Sequence, residues 1–344
     1  MKKITTMFLL ITSILMLTAC SKASKSNETQ PTEAVTSTPA VSQTEEAATP
    51  TPAAAQTQEV LPSGQEMNIG ILPAESAIPI IIAEEKGFFD EVGVNVAIKS
   101  FSSPNDRNVA VAAKELDGVI GDVMTCATFV DKGISLKITS DISEDFKVLS
   151  SPDSGITKME DLGGKKISLV PNFILEYIMD QYAEEYGFEY DIVEIPSFSG
   201  RAEALMSNQI DGVLFTEPQA GMLVQQGAHL LGSSKESGIK GGTLQFTEDM
   251  LTNRTGDVKA FYQAYNKAID YMNNTDVSEY SAILTNYQFP EAIGNYLSGQ
   301  MGEFQYAAPI SKEQFDRIIA WTKEKGQISK LFTYEELTDF SCLQ

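Results

Sequence analysis

An α/β fold with two parallel-sheet lobes around a ligand cleft is predicted by three observations. The chain carries an internal repeat. Within each copy, short apolar strand-like runs alternate with helix-like stretches. The apolar runs end in Pro, Gly or small polar residues, as loops at the carboxyl ends of parallel strands do. Strands alternating with helices imply parallel sheets covered on both faces.

The first copy opens with a buried-strand run, Met67-Asn68-Ile69-Gly70-Ile71-Leu72, ending at Pro73. The second opens with Lys166-Ile167-Ser168-Leu169-Val170, ending at Pro171. A helix-like stretch follows each, Ile80 to Lys86 and Leu175 to Tyr186. Both stop at Gly-Phe, Gly87-Phe88 and Gly187-Phe188, where glycine is the expected residue just past a helix end. Second strands follow at Val94 to Ile98 and Asp191 to Ile195, then a Ser-rich turn, an arginine and a helix. Arg107 to Asp117 is ten residues, as is Arg201 to Asp211. Asp117-Gly118 and Asp211-Gly212 read as tight turns in which glycine supplies φ > 0. The third strands are Val119-Ile120 and Val213-Leu214-Phe215.

Residues 1–19 read as a signal peptide. Lys2 and Lys3 form a positive n-region, and Met7 to Met16 is apolar but short for a spanning helix. The run ends in Leu17-Thr18-Ala19-Cys20, which resembles the lipobox of bacterial lipoproteins. That resemblance implies cleavage before Cys20, lipidation of its thiol and anchoring at the membrane surface, since two acyl chains hold where one does not. Residues 20–65 then form a tether. Past Cys20 the segment has no aromatic residue and is built from Ser, Thr, Ala, Gln, Glu and Pro, too polar to offset its chain entropy by burial. Its random-coil reach is roughly 35–40 Å.

Composition narrows the function. The formal charge is −22. Setting aside the tether, Lys2 and Lys3 leaves 42 acids against 21 bases, which argues against a nucleic-acid partner. Three cysteines, Cys20, Cys126 and Cys342, make no disulfide framework, and Cys126 reads as a small buried residue. A single histidine, His229, in a turn-like setting, gives no basis for a zinc site or for hydrolase chemistry. No cofactor and no metal are expected. Gly163-Gly164-Lys165 lacks the spacing of a phosphate loop and reads as a turn before a strand.

Leu72-Pro73, Ile82 to Phe89, Gly93 to Val96, Glu115 to Val119, Met159 to Ile167, and Gln209 to Val213 running on to Glu217-Pro218 together resemble a known family. It comprises the nitrate/sulfonate/taurine and thiamine-precursor (NMT1/THI5-like) solute-binding proteins of ABC importers. The resemblance covers roughly Met67 to Tyr287 and implies the type II periplasmic-binding-protein fold. The expected layout is lobe I at 66–153, lobe II at 154–242 and a return to lobe I over 243–344. Helices at Val258 to Met272 and Lys312 to Lys325 are expected to pack on lobe I.

The same resemblance implies a monomeric, extracytoplasmic binding protein, lipid-anchored on the bacterial cell membrane, that delivers a small solute to permease and ATPase subunits. It places ligand contacts in the loops after the first and third strands, here Ser76, Asp122, Thr125, Asn172, Phe173, Thr216 and Glu217. Arg107 and Arg201, at matching repeat positions, are open between ligand contact and a structural task. Asp122 and Glu217, with Glu75 as a further candidate, are acceptors, and Phe173 or Phe215 offers a ring to stack on. That set favours a small neutral or amine-bearing heterocycle, such as a thiamine-type pyrimidine or similar vitamin precursor, over a strong oxyanion. The alternatives are a sulfonate, taurine or nitrate-type anion, or a sensor lipoprotein serving no transporter. An enzyme of the same fold, a thiamine-pyrimidine synthase, is disfavoured by the single histidine and the anchor signal.

Overall fold

A computed structural model describes residues 61–343; the signal peptide, Cys20 and nearly all of the expected tether lie outside them. The chain runs β1 (Glu66–Ile71), α1 (Ile78–Glu85), α2 (Phe88–Glu91), β2 (Asn95–Ser100), α3 (Pro104–Ala112), β3 (Gly118–Asp122), α4 (Val123–Asp131) and β4 (Leu136–Asp141). It continues with β5 (Phe146–Ser150), β6 (Lys166–Ser168), α5 (Ile174–Tyr186), β7 (Asp191–Val193), α6 (Phe198–Met206), β8 (Gly212–Thr216), α7 (Gln219–Gln225) and β9 (His229–Ser233). It ends with β10 (Gly242–Thr247), α8 (Glu248–Asn253), α9 (Thr255–Asn274), α10 (Ile293–Ser298), α11 (Lys312–Glu324) and α12 (Tyr334–Leu337).

Two five-stranded sheets result, ordered β2-β1-β3-β10-β4 and β7-β6-β8-β5-β9. The repeat supplies the first three strands of each, all parallel. The expectation of purely parallel sheets is corrected, because β10 and β5 run antiparallel to both of their neighbours. Each reversed strand enters from the other lobe. β5 already belongs to the second sheet, so the chain crosses over between Asp141 and Phe146, earlier than the boundary expected after residue 153. It returns between Ser233 and Gly242.

The repeated Asp-Gly motif has a different physical basis from the one its composition suggests. Gly118 and Gly212 are the first residues of β3 and β8 and do not take positive φ. The left-handed residues are Lys114 (φ 60°) and Asn208 (φ 56°), at the ends of the preceding helices. Glycine is needed for packing: a Cβ on Gly118 would stand 2.7 Å from the Phe246 ring and 2.8 Å from Ile69 Cδ1, and one on Gly212 would stand 2.9 Å from Ile167 Cδ1. The aspartates lace the turn to the first strand of each copy. Asn68 N–H donates to the Asp117 carboxylate at 2.8 Å, and Lys166 N–H to that of Asp211 at 2.8 Å. Gly87 and Gly187 do take positive φ, 73° and 71°, where helices end.

One core lies between the first sheet and helices α1, α2 and α9, with Phe261 packed on Phe89 and Phe246 at 5.3 Å each. A second runs under α4, α5 and α11, and a third lies against α6 and α7. Helix α9 packs on the first sheet's core, as expected for lobe I, but α11 also touches lobe II. Trp321 meets Tyr177 edge-on at 5.6 Å and donates to Asp180 at 2.9 Å, while Lys325 pairs with Glu176 and Asp180 at 2.7 and 2.8 Å. Cys126 is fully buried, and His229 opens β9 with its Nε2 3.1 Å from the Pro152 carbonyl.

Candidate ligand-binding cleft

The carboxyl ends of β1, β3, β6 and β8 converge on a narrow cavity of about 80 Å³, and Phe198 in its wall also lines a separate open groove of about 560 Å³. The first lobe contributes Ser76, Arg107 and Asp122; the second contributes Phe173, Arg201 and Thr216; the crossover segments contribute Glu144, Phe146 and Gly242. Helix starts build much of this wall. Ser103 caps α3 by accepting from Asp106 N–H at 3.2 Å, and Ser197 caps α6 by accepting from Gly200 N–H at 3.2 Å. Those caps fix the first turns that carry Arg107 and Arg201.

The lobes touch around the cavity. Glu75 N–H donates to the Glu217 carbonyl at 3.0 Å, and Gln219 Nε2 donates to the Pro73 carbonyl at 2.6 Å. Asp122 works on both sides. Its Oδ1 accepts from Thr125 N–H at 2.7 Å, capping α4, and its Oδ2 accepts from Ile174 N–H at 3.3 Å at the start of α5. Burial raises the Asp122 pKa, and the Arg107 charge and these hydrogen bonds oppose that rise.

Four of the seven expected contacts, Ser76, Asp122, Phe173 and Thr216, therefore share the cavity. Thr125 and Asn172 line a separate depression with Phe129 and Lys325, which also reaches Phe173. Glu217 lies behind the cleft wall: its carboxylate pairs with Lys147 and accepts from Gly221 N–H at 2.9 Å, capping α7. Phe215 is fully buried against Arg201 and is not free to stack on a solute. Glu75 is buried beneath the Tyr296 hydroxyl, and desolvation pushes its pKa up to about 8.

Glu144 was missed in the sequence. It sits in the crossover and is 6 % exposed; its Oε1 accepts from Gly241 and Gly242 N–H at 2.8 Å each. Burial raises its pKa to about 7. Its sequence setting, Asp141-Ile142-Ser143-Glu144-Asp145, is a short polar stretch between two strands, with other acids close by and no counterpart in the repeat.

Two α/β lobes crossed twice by the chain, with a cavity where their strand ends meet, define the periplasmic-binding-protein fold. Residues 75–276 match the NMT1/THI5 like family, and the chain belongs to that family. It is 26 % identical over 280 residues to the Saccharomyces cerevisiae 4-amino-5-hydroxymethyl-2-methylpyrimidine phosphate synthase THI11, covering 75 % of this chain and 80 % of that protein. Its fold is similar to that of the alkanesulfonate-binding protein SsuA from Xanthomonas axonopodis pv. citri bound to MOPS. That match has a TM-score of 0.69 and 14 % identity, and covers 81 % of this chain and 99 % of the other. It is also similar to the periplasmic nitrate-binding protein NrtA from Synechocystis PCC 6803. There the TM-score is 0.65 and the identity 16 %, with 78 % and 84 % of the two chains covered.

Proposed function

We propose that this protein is the extracytoplasmic solute-binding lipoprotein of an ABC importer, and that it closes its lobes over a compact amine-bearing heterocycle of the thiamine-pyrimidine type. The observation that carries this is the cavity itself, walled by side chains from both lobes and bridged by hydrogen bonds between them. A solute that touches both walls gains its full set of contacts only in the closed form and so shifts the population toward closure. The permease and ATPase subunits then take the closed form as their signal.

Phe146, Phe173 and Phe198 give the cavity aromatic walls suited to a flat ring, and Asp122 and Glu144 give it acceptors. A binding role rather than catalysis is supported by structures of similar fold, which include alkanesulfonate- and nitrate-binding proteins. One observation favours a sulfonate or nitrate-type anion instead: Arg201 lines the cavity with no carboxylate beside it among the described residues.

The test is mass spectrometry of the solute retained after native purification, followed by calorimetry with aminopyrimidines, taurine, alkanesulfonates and nitrate. Micromolar or tighter binding of an aminopyrimidine supports the proposal, equivalent to about −8 kcal/mol. Tight binding of nitrate or a simple sulfonate, with none of the pyrimidines, overturns the ligand assignment.

A further inference from the structure

The two halves of the repeat treat the same arginine differently. Arg107 Nη1 donates to the Ile120 carbonyl at 2.8 Å, its Nε and Nη2 donate to Asn108, and the Asp122 charge acts on it. Asp122 stands five residues beyond the repeated aspartate Asp117. Five residues beyond Asp211, the matching position holds Thr216. Arg201 therefore has a threonine at the position where its twin has an acid.

What remains around Arg201 is sparse. It is 1 % exposed, its Nη1 reaches the Ile195 carbonyl at 3.5 Å, and its Nε has no partner among the described residues. The rings of Phe198 and Phe215 lie 5.1 and 5.0 Å from its guanidinium carbon. Burial is the one influence on its pKa, which falls to about 10.

An acid in the same cavity is also incompletely matched, with only Lys240, itself paired to Asp141, acting on it as an opposite charge. Glu144 spends Oε1 on two backbone N–H groups, while Oε2 is buried without a partner among the described residues. Gly242 makes room for that oxygen, since a Cβ there would stand 1.9 Å from it. Neither Glu144 nor Arg201 is among the charges that act on the other. Unpaired buried charges are costly, and two of opposite sign held apart are matched by a ligand that carries both counter-groups.

We infer that Arg201 and Glu144 are the specificity-determining pair of the cleft and that the solute is amphoteric, placing an acceptor or anionic group on the Arg201 guanidinium and an amino donor on Glu144 Oε2. The inference rests on the solute-binding role proposed above. It selects against simple anions such as nitrate, which answer Arg201 alone.

The experiment uses the full chain and two variants. Glu144→Gln keeps an Oε1 for the two backbone bonds and replaces only the free oxygen. Arg201→Met keeps an apolar stem between the two rings. Probes come in pairs that differ by one amino group: taurine with ethanesulfonate, and 4-amino-5-hydroxymethyl-2-methylpyrimidine with its deamino analogue. On the wild type, the amino member of at least one pair should bind about tenfold tighter or more, the scale of one charge-assisted hydrogen bond. Glu144→Gln should erase that preference, and Arg201→Met should weaken both members of the pair. Without ligand, both variants should melt no lower than the wild type, because each removes an unmatched buried charge. A lower ligand-free Tm in both, or an intact amino preference in Glu144→Gln, overturns the inference. A retained natural solute lacking an amino donor overturns it too, while leaving the importer role standing. Amino-dependent binding of taurine with no response to either pyrimidine upholds the pair and sinks the pyrimidine assignment.

Discussion

Replacing Glu75 with glutamine should flatten the pH dependence of stability on the alkaline side. Glu75 is 7 % exposed, and burial, with smaller additions from Asp145, Glu217 and Glu144, moves its pKa from 4.5 to about 8 despite the Tyr296 hydroxyl. A folded pKa above the unfolded one means the folded state binds more protons between those two values. Stability from this group is therefore full below pH 4.5, falls as pH rises toward about 8, and is level above. Between pH 5.5 and 8.5 the fall is about 3 kcal/mol, at roughly 1.4 kcal/mol per pH unit. Glu144 acts in the same direction, with its window closing near pH 7. Urea unfolding at pH 5.5 and 8.5 measures the slope for wild type and Glu75→Gln, whose amide oxygen still accepts from Tyr296. The variant should lose most of the difference attributed to Glu75 and be the more stable protein at pH 8.5. An identical slope in the two proteins would refute the burial argument.

Gly118→Ala should cost about 1–3 kcal/mol in chemical unfolding, because its Cβ overlaps Phe246 and Ile69 at 2.7 and 2.8 Å. Adding Phe246→Leu should recover part of that loss; a neutral Gly118→Ala would show that packing does not select the glycine. Gln219→Ala removes a hydrogen bond between the lobes and should weaken solute affinity about two- to tenfold by calorimetry, mainly through faster release in stopped flow. Unchanged release would mean that this contact does not report closure. Cys20→Ala should abolish acyl labelling of the chain in cells, and persistent labelling would remove the anchor proposal.

The strands and helices of the repeat were readable because periodicity and glycine placement act locally. Ile69, Ile71, Val119 and Val213 sit where an apolar run predicts a covered strand. The reversed strands were not readable. Phe146–Ser150 and Gly242–Thr247 look like any short apolar run, and their membership is decided by pairing with strands far away in sequence. The cleft was half legible for the same reason. Asp122 and Phe173 follow from their places at strand ends, whereas Glu217 shares that placement but is engaged by Lys147 and Gly221 N–H, partners that its local sequence does not announce. Glu144 depends on backbone amides brought from nearly a hundred residues away, which no local pattern announces.

The reversed strands also govern the order in which this chain becomes foldable. In the first sheet β10 fills the slot between β3 and β4, so everything up to Asp141 leaves the ribosome with that slot empty. In the second sheet β5 waits for β8 and then β9. The first sheet cannot be completed from a contiguous stretch, whereas the second uses β5 to β9 alone, and the aromatic plug of Phe261 on Phe246 arrives later still, with α9. A nascent chain stopped before Gly242 therefore presents two unpaired strand edges that invite pairing with other chains. Termination before Gly242 should leave the first sheet open and prone to aggregate, and chaperone demand should persist until about the last third of synthesis.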